Sequence, residues 1–170
     1  MIAEQNTHLS DLLERFRRGA ELLAMATTGA AGPVLDFRVE GHEWSVRQNV
    51  CHLADAEVVA AMRFRQILAE ENPTLQYFDD LAWAEKLDYG KRKLSVALET
   101  FRRIRSDNHE LLKEQSETAF ARVGTHTKDG AMSLLAVVEW FTAHLEDHVR
   151  DIQAIRAAYK EFRAKELAAQ

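Results

Sequence analysis

At 170 residues the chain has the length of one domain, and its 46% hydrophobic and 29% charged residues are those of an ordinary soluble globular protein, which excludes extended disorder. The formal charge of −5 argues against nucleic acid as a partner, since the small arginine clusters at Arg15, Arg17 and Arg18 and at Arg102, Arg103 and Arg105 lack interleaved aromatic platforms. A single cysteine, Cys51, excludes an internal disulfide and suits a reducing compartment, while the absence of a secretion-type leader or a membrane-length apolar run makes a cytoplasmic location and no membrane the default expectation.

Leu9, Leu12, Leu13, Phe16, Ala20 and Leu23 recur at three and four residues with Thr7 placed as a cap, which predicts a first helix. Thr27, Thr28, Gly29, Gly32 and Pro33 break it, and Val34 to Gly41 reads as extended chain. Ser45 and Gln48 form a capping box for the second helix, with Trp44 just outside as a staple. Its apolar stripe is Val46, Val50, Leu53, Ala54, Ala61, Phe64 and Leu68, and Pro73 sets the expected end near Asn72. From Pro73 to Gly90 runs a long aromatic-rich connection, with a short helix expected after Asp79 and Asp80.

A third helix is predicted from Lys91 to Gln115 on Leu94, Ala97, Leu98, Phe101, Ile104, Leu111 and Leu112, followed by an irregular stretch from Thr118 to Ala131. The fourth carries Leu134, Val138, Phe141, Leu145, His148, Ile152, Ile155 and Tyr159 on one face and Glu139, Glu146, Arg150 and Gln153 on the other, with fraying expected over Phe162 to Gln170. Four amphipathic helices can bury their stripes only against one another. The predicted fold is therefore a single all-α domain over residues 1–170, a four-helix bundle with long crossover connections whose helix order stays open.

His144 and His148 stand four residues apart on the fourth helix, so their rings project from neighbouring turns toward one point. Histidines facing a core are costly unless both ring nitrogens find partners, which either a metal or a hydrogen-bonded packing arrangement supplies. A zinc-protease motif is excluded because Leu145 stands where the catalytic glutamate belongs, and a di-iron site because none of the seven histidines has Glu three residues before it. The best third ligand is His52, which heads the row Gln48, His52, Asp55, Val59 and Met62. An ideal helical wheel places that row away from the main stripe and predicts His52 to be exposed or half-buried, unless the helix lines a cavity with this second face and Val59 and Met62 form its floor.

The segments Trp44-Ser45-Val46-Arg47-Gln48, Val50 and His52-Leu53-Ala54-Asp55, together with His126-x-x-x-Gly130-x-Met132-Ser133-Leu134 and His144-x-x-x-His148, resemble the DinB/YfiT-like family of metal-binding helical bundles. That resemblance implies a four-helix bundle, often a homodimer, holding one nickel or zinc ion on three histidines that map onto His52, His144 and His148. Three neutral imidazoles leave an ion doubly positive with open positions, where a water or a thiol loses its proton more readily. The function expected is a metal-dependent transferase using a low-molecular-weight thiol, or a hydrolase, acting on a small-molecule electrophile; the alternative is a non-catalytic metal-binding stress-response protein that dimerises.

Other residues are weighed beside these. Asp55, one turn beyond His52, is placed to orient that ring or accept a proton, and Asp151 stands in the same relation to His148 with a surface role slightly favoured. Glu57 falls on the apolar stripe and needs a partner such as an arginine from another helix. Cys51 reads as a small buried apolar side chain, and His126 as a solvated loop histidine or one that reaches the cavity mouth. Tyr77, Trp83 and Tyr89 are pocket walls or, by default, aromatic caps of the core, whereas His8, His42 and His109 have no matching partner in the sequence.

Overall fold

The structure, a computed structural model, describes residues 2–42 and 44–169. Four long helices, α1 (Ile2–Thr27), α2 (Val46–Ala69), α4 (Leu94–Lys113) and α5 (Leu134–Ala168), form the bundle, and the short α3 (Asp80–Lys86) lies in the connection between α2 and α4. Each long helix packs chiefly against two others, giving the order α1, α4, α2, α5 around the bundle. The consecutive helices α1 and α2 therefore sit diagonally, as do α4 and α5. Crossing a diagonal takes more chain than a hairpin loop, which is the physical reason for two of the long connections seen in the sequence. Among the described residues no helix is long and apolar enough to cross a membrane.

The core divides into two apolar clusters with a polar layer between them. One is built around Leu23, Val46, Val50, Leu53, Phe101, Ile152 and Ile155, the other around Leu12, Phe16, Phe64, Ile67, Leu112, Leu134 and Phe141. The clusters change over near Gly19 on α1, Glu57 on α2, Arg105 and Asn108 on α4, and His144 on α5. Glu57 meets Arg105 at 2.8 Å and accepts from the Asn108 amide at 2.8 Å, so the stripe carboxylate does receive an arginine from another helix. At Gly19 a β-carbon would run into the end of the Leu145 side chain on α5, so the glycine spares that side chain a shift in this layer.

Local details depart from the sequence expectation in identifiable ways. The helix α1 begins at Ile2, so Thr7 lies inside it instead of capping it, and part of the expected extended chain after Pro33 is a 3-10 turn over Gly32–Leu35. At its far end α2 stops at Ala69, short of Asn72, which adopts a left-handed φ of 46° before Pro73. The guanidinium of Arg122 donates to the carbonyls of Ile67 and Glu70 and so satisfies acceptors that the helix end leaves free. A 3-10 turn over Tyr89–Lys91 delays α4 to Leu94, and Phe162–Ala168, expected to fray, continues α5.

The stretch expected to be irregular before α5 contains two strands, β2 (Val123–His126) and β3 (Gly130–Ser133), and β2 also pairs in parallel with β1 (Thr74–Leu75). Strands of two to four residues are too short for a period of two to emerge from the sequence. Along β2 the alternation turns Gly124 and His126 inward, and a β-carbon on Gly124 would press to 3.0 Å against Leu75. This small sheet closes one end of the bundle and turns His126 toward α2.

Candidate metal centre

The capping box fixes where α2 begins: the Gln48 N–H donates to Ser45 Oγ at 3.4 Å and the Ser45 N–H to Gln48 Oε1 at 3.1 Å. Counted from that start, His52 comes round to face α5, where His144 and His148 project from adjacent turns. The donor nitrogens of the three rings lie within 4.8 Å of one another, and His52 Nε2 stands 2.8 Å from His144 Nε2. His52 is fully buried, against the wheel expectation, because α2 packs on both α4 and α5 and so buries two faces. Met62, expected in the cavity floor, is instead 61% exposed. Aromatic rings take that place: Trp44 stacks on His148 and tilts against His52, Trp140 stacks on His144, and Phe78 lies over His52.

Hydrogen bonding decides one tautomer. The Asn49 side-chain amide donates to the Ser45 carbonyl at 3.0 Å, which leaves its Oδ1 as an acceptor, and that oxygen is 2.7 Å from His148 Nδ1. Nδ1 of His148 must therefore carry the proton, and its Nε2 presents a lone pair to the cluster. Burial drives all three rings toward neutrality. His52 is lowered to about 2 by burial and then by the field of His144 and His148; His144 is lowered to about 3 by burial and then by His148. His148 is also lowered by burial, opposed in part by Asp151, Asp147 and Asp80. Neutral imidazoles are the form that ligates metal.

The residues fit a divalent cation. Two Nε2 atoms held 2.8 Å apart are close enough to share one proton or one ion, and the third ring is fixed in the ligating tautomer. His52 Nδ1, buried on the other edge of its ring, has no hydrogen-bond partner among the described residues, and an ion on Nε2 would leave it so.

Asp55 is not the orienting group for His52. Its Oδ2 accepts from the Tyr89 hydroxyl and from Arg92 Nη1, both at 2.8 Å, so the carboxylate leans away from the cluster and fastens the connection before α4 to α2. Tyr89 is accordingly a core residue whose hydroxyl is raised by burial and by this hydrogen bond, and Trp83 packs on Phe78. Cys51 is buried with its thiol pushed up to about 11 by burial, which keeps it an inert packing group. Asp151 is half-exposed and lies 3.7 Å from His42, while His8 and His109 pair with the acidic side chains of Glu139 and Glu110.

Two cavities reach the cluster. One, of about 270 Å³, is bounded by His42, Trp44, Asn49, Asp151 and His148; the other, of about 190 Å³, by His52, His144, Arg63, Tyr77, Phe78 and His126 among others. Asp80 lines both. Sequence reasoning used Asp80 only as part of a helix start and overlooked Asn49, Arg63 and Trp140. Signals existed for the last two: Trp140 precedes His144 by four residues, and Arg63 follows His52 by eleven, about three turns, which returns it to the same face.

A sequence profile of the DinB superfamily matches residues 15–152. Over 121 residues the chain is 28% identical to a protein of Oceanobacillus iheyensis named "Putative metal-dependent hydrolase", the match covering 69% of this chain and 70% of the other. A protein of Bacillus mycoides with the same description is 28% identical over 120 residues, covering 71% and 68%. The solved structure of YfiT from Bacillus subtilis, described as "a probable metal-dependent hydrolase with an unusual four-helix bundle topology", superposes with a TM-score of 0.84 at 23% identity over 89% of this chain and 87% of that one.

Proposed function

This chain belongs to the DinB superfamily, and from that membership we propose a divalent-metal-dependent enzyme that directs a water or a low-molecular-weight thiol onto a small electrophile, with His52, His144 and His148 as the ligands and nickel or zinc as the ion. The observation that carries the proposal is the convergence of three neutral imidazoles, one lining one cavity and two lining the other. The names of the relatives, which describe metal-dependent hydrolases, support the metal dependence and the water branch of this reading.

When bound, such an ion supplies Lewis acidity, polarising an electrophile and easing deprotonation of a water or thiol near neutral pH. The protein's own groups do the rest. Asn49 holds His148 in one tautomer, and Trp44 and Trp140 fix the ring planes of the ligands. Asp80, facing both cavities, takes the proton of the nucleophile. The pair of cavities favours the thiol branch, because transfer needs space for two organic reactants at once and hydrolysis for one.

Metal analysis of the purified chain, followed by turnover of electrophiles such as activated esters and alkyl halides with and without thiols, tests this. One ion per chain and thiol-dependent turnover are expected. A chain that regains no ion near stoichiometry overturns the metal reading, and one that holds the ion without turning over any electrophile is left as the non-catalytic binder.

A further inference from the structure

Two arginines are buried in this bundle, and their surroundings treat them differently. Arg105, 2% exposed, has the Glu57 carboxylate at 2.8 Å. Arg63, 6% exposed, meets no carboxylate at ion-pair distance among the described residues. Its Nη2 donates to the Gln76 carbonyl at 2.7 Å and to His126 Nε2 at 3.0 Å, and its Nε has no partner among the described residues. A guanidinium balanced only by neutral acceptors is costly to bury, and burial lowers its pKa despite the opposing field of Asp129.

The neighbours of Arg63 are arranged to hold it in place without neutralising it. Because arginine only donates, His126 Nε2 accepts from it, while on the other edge of the ring Nδ1 lies 2.8 Å from Asp129 Oδ2 and 3.1 Å from the Asp129 backbone N–H. The Asp129 carboxylate stands at the exposed rim beyond the histidine and acts on Arg63 only through its field. The side chain of Arg63 also lies against the Phe78 and Phe141 rings. It lines the same cavity as His52 and His144, where Lys128 adds a second positive charge over the Tyr77 ring at 4.6 Å.

We propose that this cavity is a recognition subsite for an oxyanion, a carboxylate or a phosphate, carried on an aromatic or otherwise apolar substrate, with Arg63 as its receiver. The aromatic walls, Tyr77, Phe78 and Trp140, take the apolar part, and the anion pairs with a guanidinium that meets no carboxylate at ion-pair distance among the described residues, although Asp80 and Asp129 also line the cavity. This deepens the enzymatic reading above, since it places the charged end of the substrate beside the reacting centre, but anion binding itself needs no metal.

Calorimetric titration of the full chain, as purified and after chelation, with phenylacetate, phenyl phosphate and the neutral phenylacetamide tests the subsite. Either acid is expected to bind at least about tenfold more tightly than the amide in both preparations, and the tighter of the two identifies the oxyanion. Arg63→Gln should weaken acid binding about ten- to a hundredfold, and Arg63→Lys should retain part of it. Equal binding of acid and amide, no binding of either acid, or indifference to Arg63→Gln in a folded variant overturns the proposal. Acid binding that vanishes on chelation assigns the anion to the ion and overturns it too. Should Arg63→Gln not fold, the acid and amide comparison on the parent chain still decides. A chelated chain that keeps its preference for acids sustains the subsite even where the metal reading fails.

Discussion

The Oδ1 atom of Asn49 accepts the Nδ1 proton of His148 at 2.7 Å, a bond that joins α2 to α5 and fixes which nitrogen of the ring faces His52 and His144. Removing the acceptor frees the ring to rotate or change tautomer without touching a ligand. Asn49→Leu is therefore expected to weaken metal binding about ten- to a hundredfold, the usual effect of losing a partner behind a ligating histidine. Asn49→Asp, which keeps the acceptor, should bind at least as tightly as the parent. His148→Ala should lose the ion while the far-UV circular dichroism stays helical, since the two apolar clusters form without it. Competition against a chromogenic chelator measures all three, and an Asn49→Leu variant equal to the parent would remove Asn49 from the site.

Burial of the histidines makes the metal-free chain sensitive to acid. In the unfolded chain each imidazole takes a proton near 6.5, whereas in the folded chain His52 holds off until about 2 and His144 until about 3. Between these limits the unfolded state binds more protons, so stability is fully present above 6.5 and falls as pH falls below it. The slope approaches about 1.4 kcal/mol per pH unit for the fully buried His52. Glu57, raised by burial, acts in the opposite sense with a single proton. Urea unfolding in the presence of a chelator should give a lower midpoint at pH 5 than at pH 7, and equal midpoints would mean that the folded rings accept protons freely.

How much of this was legible in the sequence depended on the length scale of each feature. The periodic stripes announced four helices, and the Ser45 and Gln48 pair located the start of α2. His144 and His148 were readable because their relation lies within one helix. His52 was only half readable, since its burial comes from α5 covering a second face of α2, and a wheel drawn on one helix holds no information about its neighbours. Asp55 was misread for the same reason: the residues that claim its carboxylate, Tyr89 and Arg92, lie more than thirty positions away in a connection without periodicity. The three short strands were beyond reach because pairing partners, not local pattern, define them. Glu57 was the opposite case, where a carboxylate on an apolar stripe demanded a cation, and Arg105 supplies it.

That ion pair carries its own prediction. Burial pushes the Glu57 carboxyl up and the Arg105 guanidinium down, both toward neutrality, so the pair keeps its charges only while each holds the other. The Arg105 guanidinium also lies 3.9 Å from the centre of the Phe16 ring, so truncation would remove packing as well. Arg105→Ala is expected to destabilise the bundle by about 3–5 kcal/mol, because it strands a buried carboxylate. Joint replacement, Glu57→Leu with Arg105→Met, should recover most of that loss. Denaturant midpoints for the two variants check the difference; a double variant no more stable than Arg105→Ala would show that the polar layer itself, and not the stranded charge, holds the two clusters in register.

Asp80 and Asp55 separate a chemical role from a structural one. Asp80 stands at the start of α3, where it faces both cavities, and its charge contributes to the field at His148. Asp55 faces away from the cluster toward two donors. Asp80→Asn keeps the size of the side chain and removes the proton acceptor, so metal content and melting temperature should match the parent while kcat falls about a hundred- to ten-thousandfold, the range of general-base loss. Asp55→Asn should do the reverse: turnover and metal content hold, and stability drops by about 1–3 kcal/mol as Tyr89 and Arg92 lose a charged acceptor. Measuring kcat, metal stoichiometry and melting temperature on both variants sets the two carboxylates against each other. If Asp80→Asn turns over at the parent rate while Asp55→Asn does not, the proton passes to Asp55 by a route this geometry does not provide, and the role assigned to Asp80 is wrong.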